Sequence, residues 1–122
     1  MKSFSSYRDL VVWQKSIDLA VRTYSTTRGF PAEERFGIIS QMRRAATSIP
    51  ANIAEGQARK TTGEFLQSLG IARGSLAELE TFLTLSEKLA FLTREDCESL
   101  LSDCAEINKM LHALMKSLAT RR

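Results

Sequence analysis

Gln41-Met42-Arg43-Arg44-Ala45-Ala46-Thr47-Ser48-Ile49-Pro50-Ala51-Asn52-Ile53-Ala54-Glu55-Gly56 separates into two stripes when it is wound as an α-helix. Ile39, Met42, Ala46, Ile49 and Ile53 recur at spacings of three and four, the period of a helix face packed on a core. Gln41, Arg44, Ser48, Asn52, Glu55 and Arg59 follow a second, narrow polar line. A flank of Ala51, Ala54 and Ala58 lies between them. An ordinary surface helix buries one stripe and solvates the rest. Polar residues confined to a line, with small residues filling the remainder, predict a helix touched by protein on more than one side. Pro50 removes one backbone hydrogen bond and should bend it, and Gly56 weakens its end.

Outward from this segment the chain reads as four helices. Only Pro31 and Pro50 interrupt it, and no segment alternates like a strand. A first helix is expected from Ser6, with Asp9 completing a capping box. Leu10, Trp13, Ile17, Val21 and Tyr24 are its predicted buried stripe, with Val12 and Leu19 on the opposite side. Thr26 to Phe30 reads as a loop, and Pro31, Glu33 and Glu34 suit the first turn of the second helix.

Thr61 and Glu64 form a capping box for the third helix, whose core face is Phe65, Leu69, Ala72, Leu76, Leu79 and Leu83. Its back carries Gly63, Gly70, Gly74, Ala77 and Thr81. Mid-helix glycines cost about 1 kcal/mol each relative to alanine. They are either a tolerated weakness or a groove for another backbone, and a second subunit is the expected occupant. Thr93 and Asp96 cap the fourth helix, in which Cys97, Leu100, Leu101, Cys104, Ile107, Leu111, Leu114, Met115 and Leu118 make one clean stripe. Thr120-Arg121-Arg122 reads as a frayed basic tail. Short connections between four helices predict an all-α, antiparallel up-down-up-down four-helix bundle forming a single domain over residues 1–122.

A chain of 122 residues can bury about two-thirds of its unfolded surface and needs no staple. Cys97 and Cys104, seven apart on a helix, place their α-carbons roughly 10 Å apart, beyond disulfide reach. They read as reduced core residues. No apolar run approaches a membrane span, and Met1 to Ser6 has no signal-like hydrophobic segment, so a cytoplasmic protein with no membrane partner is expected.

Catalytic patterns are lacking. A di-iron site in a bundle needs inward glutamates and Glu-x-x-His pairs, whereas His112 is the only histidine and Lys109 stands three residues before it. No Ser-His or Cys-His pair suggests itself, Gly70-x-x-x-Gly74 lacks the residues of a phosphate loop, and no metal or cofactor is expected. What remains is charge. From Arg35 to Arg73 six bases face two acids, a local excess of four against a net +3 for the whole chain. Arg43, Arg44, Arg59, Lys60 and Arg73 are the candidate nucleic-acid-binding residues. No exposed aromatic run accompanies them, so backbone contact and shape, not base stacking, are expected to dominate.

The segment Gln41 to Ala45 with Ser48 to Gly56 resembles the signature of the four-helix-bundle proteins described as 23S rRNA-intervening-sequence proteins. Further matches are Asp9-Leu10-Val11-Val12-Trp13, Phe30-Pro31-x-Glu33-Glu34 and Ala72-Arg73-Gly74-Ser75-Leu76-Ala77-Glu78-Leu79-Glu80; the last dozen residues carry none. The resemblance implies a bacterial, cytosolic bundle assembling as a ring-like pentamer, encoded within ribosomal RNA insertions or elsewhere in genomes. The accessory proteins of diversity-generating retroelements are similar in fold and assembly, and engage nucleic acid and a reverse transcriptase through a basic surface. No catalytic residue comes with it.

The sequence therefore predicts a non-enzymatic homo-oligomeric adaptor for RNA or DNA. Ala51, Ala54, Ala58, Gly70, Gly74 and Ala77 are its expected oligomer interface. One alternative is a protein-binding scaffold whose arginines pair with acids between subunits and which holds no nucleic acid. Another, weaker, is a small-ligand enzyme using Arg44, Asn52 and Glu55.

Overall fold

A computed structural model describes residues 6–121 of the chain. Met1 to Ser5, most of the segment examined for a signal, and Arg122 of the basic tail lie outside them. The four helices are α1 (Val11–Thr27), α2 (Ile38–Ala58), α3 (Thr62–Lys88) and α4 (Arg94–Ala119). Helix α1 packs on α2, α2 on α3, α3 on α4, and α4 back on α1. Neither diagonal pair approaches closely among the described residues. With connections this short, the order is an antiparallel up-down-up-down four-helix bundle. No helix among the described residues is long and apolar enough to cross a membrane.

Local chemistry explains most helix ends. Thr61 Oγ1 accepts from the Glu64 amide at 3.1 Å and Thr93 Oγ1 from the Asp96 amide at 3.1 Å, as the capping motifs predict. Helix α3 closes with the Phe91 amide donating to Ser86 O and the Ala90 amide to Glu87 O, both at 2.9 Å. That paired closure places Ala90 at φ 63°, a left-handed position usually given to glycine.

Two starts differ from expectation. Ser6 caps a single 3-10 turn, Tyr7–Asp9, and the α-helix begins only at Val11. Pro31 likewise leads into a 3-10 turn, Ala32–Glu34, and α2 starts after Gly37. In both places the polar or proline signal is satisfied within one tight turn, and the chain bends again before the long helix. Helix α2 then runs through Pro50 without a break.

The core follows the predicted stripes of α2, α3 and α4. Met42, Ala46, Ile49, Ile53, Leu69, Ala72, Leu79, Leu83, Leu100, Cys104 and Leu111 are wholly buried. Leu10 is buried and Trp13 packs half-buried against the core, as predicted, but beyond them helix α1 is turned the other way. Its buried face is Val12, Ser16, Leu19, Ala20, Thr23 and Thr27, while Ile17, Val21 and Tyr24 are 36%, 61% and 37% exposed. The hydroxyls allow this rotation. Ser16 donates to Val12 O at 2.6 Å, Thr23 to Leu19 O at 2.8 Å and Thr27 to Thr23 O at 2.8 Å. A hydroxyl bonded to the preceding turn is satisfied before it is buried, so its methylene or methyl packs at little cost.

Helices α2 and α3 are the most closely packed pair. Gly56 is the reason at one end: a β-carbon there would meet Ser68 Cβ at 2.7 Å and Phe65 Cδ1 at 2.9 Å. Further along, Ser75 Oγ donates to Ser48 Oγ at 2.9 Å and Ser86 Oγ lies 3.5 Å from Met42 Sδ. Cys97 and Cys104 are buried free thiols, as expected. Burial raises the pKa of both, that of Cys104 to about 12 from 9.0.

Two outcomes follow from this packing. Gly56→Ala should cost roughly 1–3 kcal/mol through overpacking, read as a lower urea midpoint, although alanine is the better helix former. Stability should be insensitive to Cys104 below pH 9, where the thiol is protonated both folded and unfolded, and fall from there towards pH 12 as only the unfolded thiol ionises. Cys104→Ala should flatten that alkaline slope in denaturation curves measured at successive pH values.

Candidate nucleic-acid interface

The polar line of α2 is tied to itself along the helix. Arg44 donates to Gln41 Oε1 at 2.6 Å, Asn52 Nδ2 to Ser48 O and Oγ at 2.8 and 3.0 Å, and Arg59 to Glu55 Oε2 at 2.6 Å. These are neighbours at spacings of three and four on one helix surface. Arg44, Asn52 and Glu55, the trio of the ligand-enzyme reading, thus serve three separate local pairs and do not converge on one reacting centre.

The five predicted bases divide into distinct places. Arg43 leans towards α1: its Nε donates to Thr27 Oγ1 at 2.9 Å, and its guanidinium lies 4.5 Å from the centre of the Tyr24 ring. Arg44 is exposed on the outer side of the same turn. Arg59 and Lys60 close α2 at its far end, fifteen residues from Arg44 and so roughly 22 Å along the axis. Arg73 leans the other way, with its Nε 3.4 Å from Asn108 Oδ1 on α4. Only Arg59 of the five has a carboxylate partner among the described residues. An exposed pair of that kind is worth on the order of 0.5 kcal/mol.

Arg44 and Arg73 join no salt bridge among the described residues; the groups they bond are uncharged amides. By contrast, the bases on α1 are neutralised. Lys15 pairs with Glu106 at 3.4 Å and Arg22 with Asp103, which joins α1 to α4.

The packing also assembles a cleft that linear reading missed. The end of α1, the connection and the first turns of α2 line an open volume of about 470 Å³ with Tyr24, Arg35, Phe36, Ile39, Ser40, Arg43, Arg44 and Thr47. Phe36 is 90% exposed, with the Arg35 guanidinium 6.0 Å from its ring centre, so an aromatic face does stand beside the bases, against the expectation that stacking has no surface here. Tyr24 is twelve residues from Phe36 and on the face first read as buried, so spacing gave no reason to join them. The clue was a single one: the Arg35-Phe36-Gly37 sequence just before a helix.

The small residues predicted as an interface lie outward. Ala51, Ala58, Gly70, Gly74 and Ala77 are exposed and Ala54 is half-buried. A β-carbon at Gly70 or Gly74 would meet nothing within 4 Å. His112 is exposed on α4, and the described residues include no group of metal-ligating side chains.

Comparison with known proteins agrees with this architecture. The family described as 23S rRNA-intervening sequence protein matches residues 8–113. A crystal structure from Bacteroides thetaiotaomicron, of a protein with unknown function from the S23 ribosomal protein family, is similar at a TM-score of 0.81 and 36% identity, covering 87% of this chain and 96% of that one. No curated protein matches. On the strength of a match running from the first turn almost to the end of α4, the chain belongs to the 23S rRNA-intervening sequence protein family.

Proposed function

We propose that the chain works as a non-enzymatic homo-oligomer, pentameric as its resemblance implies, that holds RNA or DNA through bases on α2 and α3. The observation that carries this reading is the unneutralised charge: Arg43, Arg44, Lys60 and Arg73 have no carboxylate partner among the described residues. Guanidinium groups bonded only to hydroxyls, amides and an aromatic ring keep their full positive field. That field attracts phosphate and releases its counterions.

Assembly is supported by the outer side of α3. Gly70, Gly74 and Ala77 leave its backbone bare, and an open groove of about 570 Å³ continues along Thr81, Thr84 and Leu85. Ile71, Leu85 and Leu89 are each about half exposed nearby. A second copy of the chain laid along this surface would cover apolar area and repay the glycines' cost in helix propensity.

Gel-shift titration at two salt concentrations tests the nucleic-acid reading. Binding should weaken steeply as salt rises, and Arg59→Glu with Lys60→Glu should weaken it further. Absence of binding to structured RNA, single strands and duplex at low salt would overturn the reading; in that case a shift in assembly size with Arg44→Ala would favour the scaffold, its arginines paired between subunits. For the assembly, Gly74→Trp should lower or scatter the mass seen by light scattering, and an unchanged mass would show that α3's outer side is not an interface.

A further inference from the structure

The cleft between the end of α1 and the start of α2 brings together uncompensated charge and an exposed aromatic face. Arg35, Arg43 and Arg44 supply three guanidinium groups, and no carboxylate lines the cleft. None of the three joins a salt bridge among the described residues. Beside them Phe36 presents nearly its whole ring to water, and Tyr24 is more than a third exposed. A site for phosphate alone needs no aromatic face, and an apolar docking site would not gather three uncompensated arginines.

We infer that this cleft is a single-strand nucleic-acid site, in which an unpaired base stacks on Phe36 and the flanking phosphates lie on Arg35 and Arg44. The assignment rests on the nucleic-acid reading above and adds to it one place where an unpaired base is held, with Lys60 and Arg73 serving the strand beyond the cleft. Duplex is disfavoured because its base faces are already stacked on one another, whereas every unpaired base offers a face to an aromatic ring. Arg43 has a different part. Bonded to Thr27 Oγ1 and set over Tyr24, it holds the wall of the cleft in place while adding to its positive field. Ser40 lines the cleft with a hydroxyl that suits sugar or phosphate oxygens, whereas Thr47 Oγ1 donates to Arg43 O at 2.9 Å and is left to accept from a sugar hydroxyl.

Fluorescence anisotropy with labelled twelve-nucleotide strands tests this on the full chain. Oligoadenylate, its DNA counterpart and an abasic strand of the same length serve as probes, with a hairpin duplex as control. Oligoadenylate should bind on the order of tenfold more tightly than the abasic strand, and Phe36→Ala should remove that difference while leaving the melting temperature unchanged. Phe36→Tyr, which retains a ring face, should restore most of it. Arg35→Glu with Arg44→Glu should weaken binding of all strands alike; comparing the RNA and DNA strands reports whether the sugar is read.

If binding is salt-sensitive but equal for oligoadenylate, abasic strand and duplex, and indifferent to Phe36→Ala, the cleft assignment fails and the broader reading stands. If nothing binds at low salt, both fail. If Phe36→Ala changes the oligomeric mass and leaves strand affinity untouched, the ring belongs to a protein contact and the assignment is overturned.

Discussion

The bundle depends on how closely α2 and α3 approach each other. At Gly56 the side of α2 has no side chain, and Ser68 and Phe65 of α3 occupy the space that a β-carbon would take. A three-residue connection, Arg59 to Thr61, enforces this contact at once, and the threonine cap then starts α3 in a defined direction. From that anchored end the pair runs antiparallel past Ser48 against Ser75 and Met42 against Ser86. Small residues along the seam let the backbones stay close over most of the length of α2. Leucines and isoleucines of both helices then point together into the core shared with α1 and α4.

That seam settles what the other sides of α2 can do. With its apolar stripe inward and small polar residues towards α3, the arginines are left on the outside or directed towards α1. Local hydrogen bonds hold several of them in place without cancelling their charge. A guanidinium donating to a glutamine or threonine oxygen is ordered yet still positive, which suits it to meet an anion with little further loss of freedom. Among the described residues the two ion pairs between helices both join α1 to α4, and the other two, Arg59 with Glu55 and Arg94 with Glu98, are local pairs four residues apart. Charge that cements the fold and charge left available are therefore separated in space.

Helix α1 shows how hydroxyl groups can overrule a hydropathy pattern. Counting apolar residues selects Ile17, Val21 and Tyr24 as its inner face, but Ser16, Thr23 and Thr27 are buried instead. Each of these hydroxyls is bonded to the preceding turn, and Thr27 also accepts from Arg43. Their small volume lets α1 sit close to its neighbours. The same rotation carries Tyr24 to the surface beside Arg43 and makes the cleft with Phe36 possible.

The amino-acid order alone was enough to name the class, the number of helices, the caps at Thr61 and Thr93, and the core faces of α2, α3 and α4. Those features arise from interactions a few residues apart and from a 3.6-residue period that any apolar stripe must obey. It also flagged the excess of base and the exposed glycines of α3. Which side of α1 is buried, which arginines keep an uncompensated charge, and which aromatic rings stand beside them were settled only by packing. These depend on contacts between helices, such as Thr27 with Arg43 or Gly56 with Ser68, whose partners lie twelve or more residues apart. No local periodicity encodes such a meeting, because it is chosen by how four separate surfaces fit together.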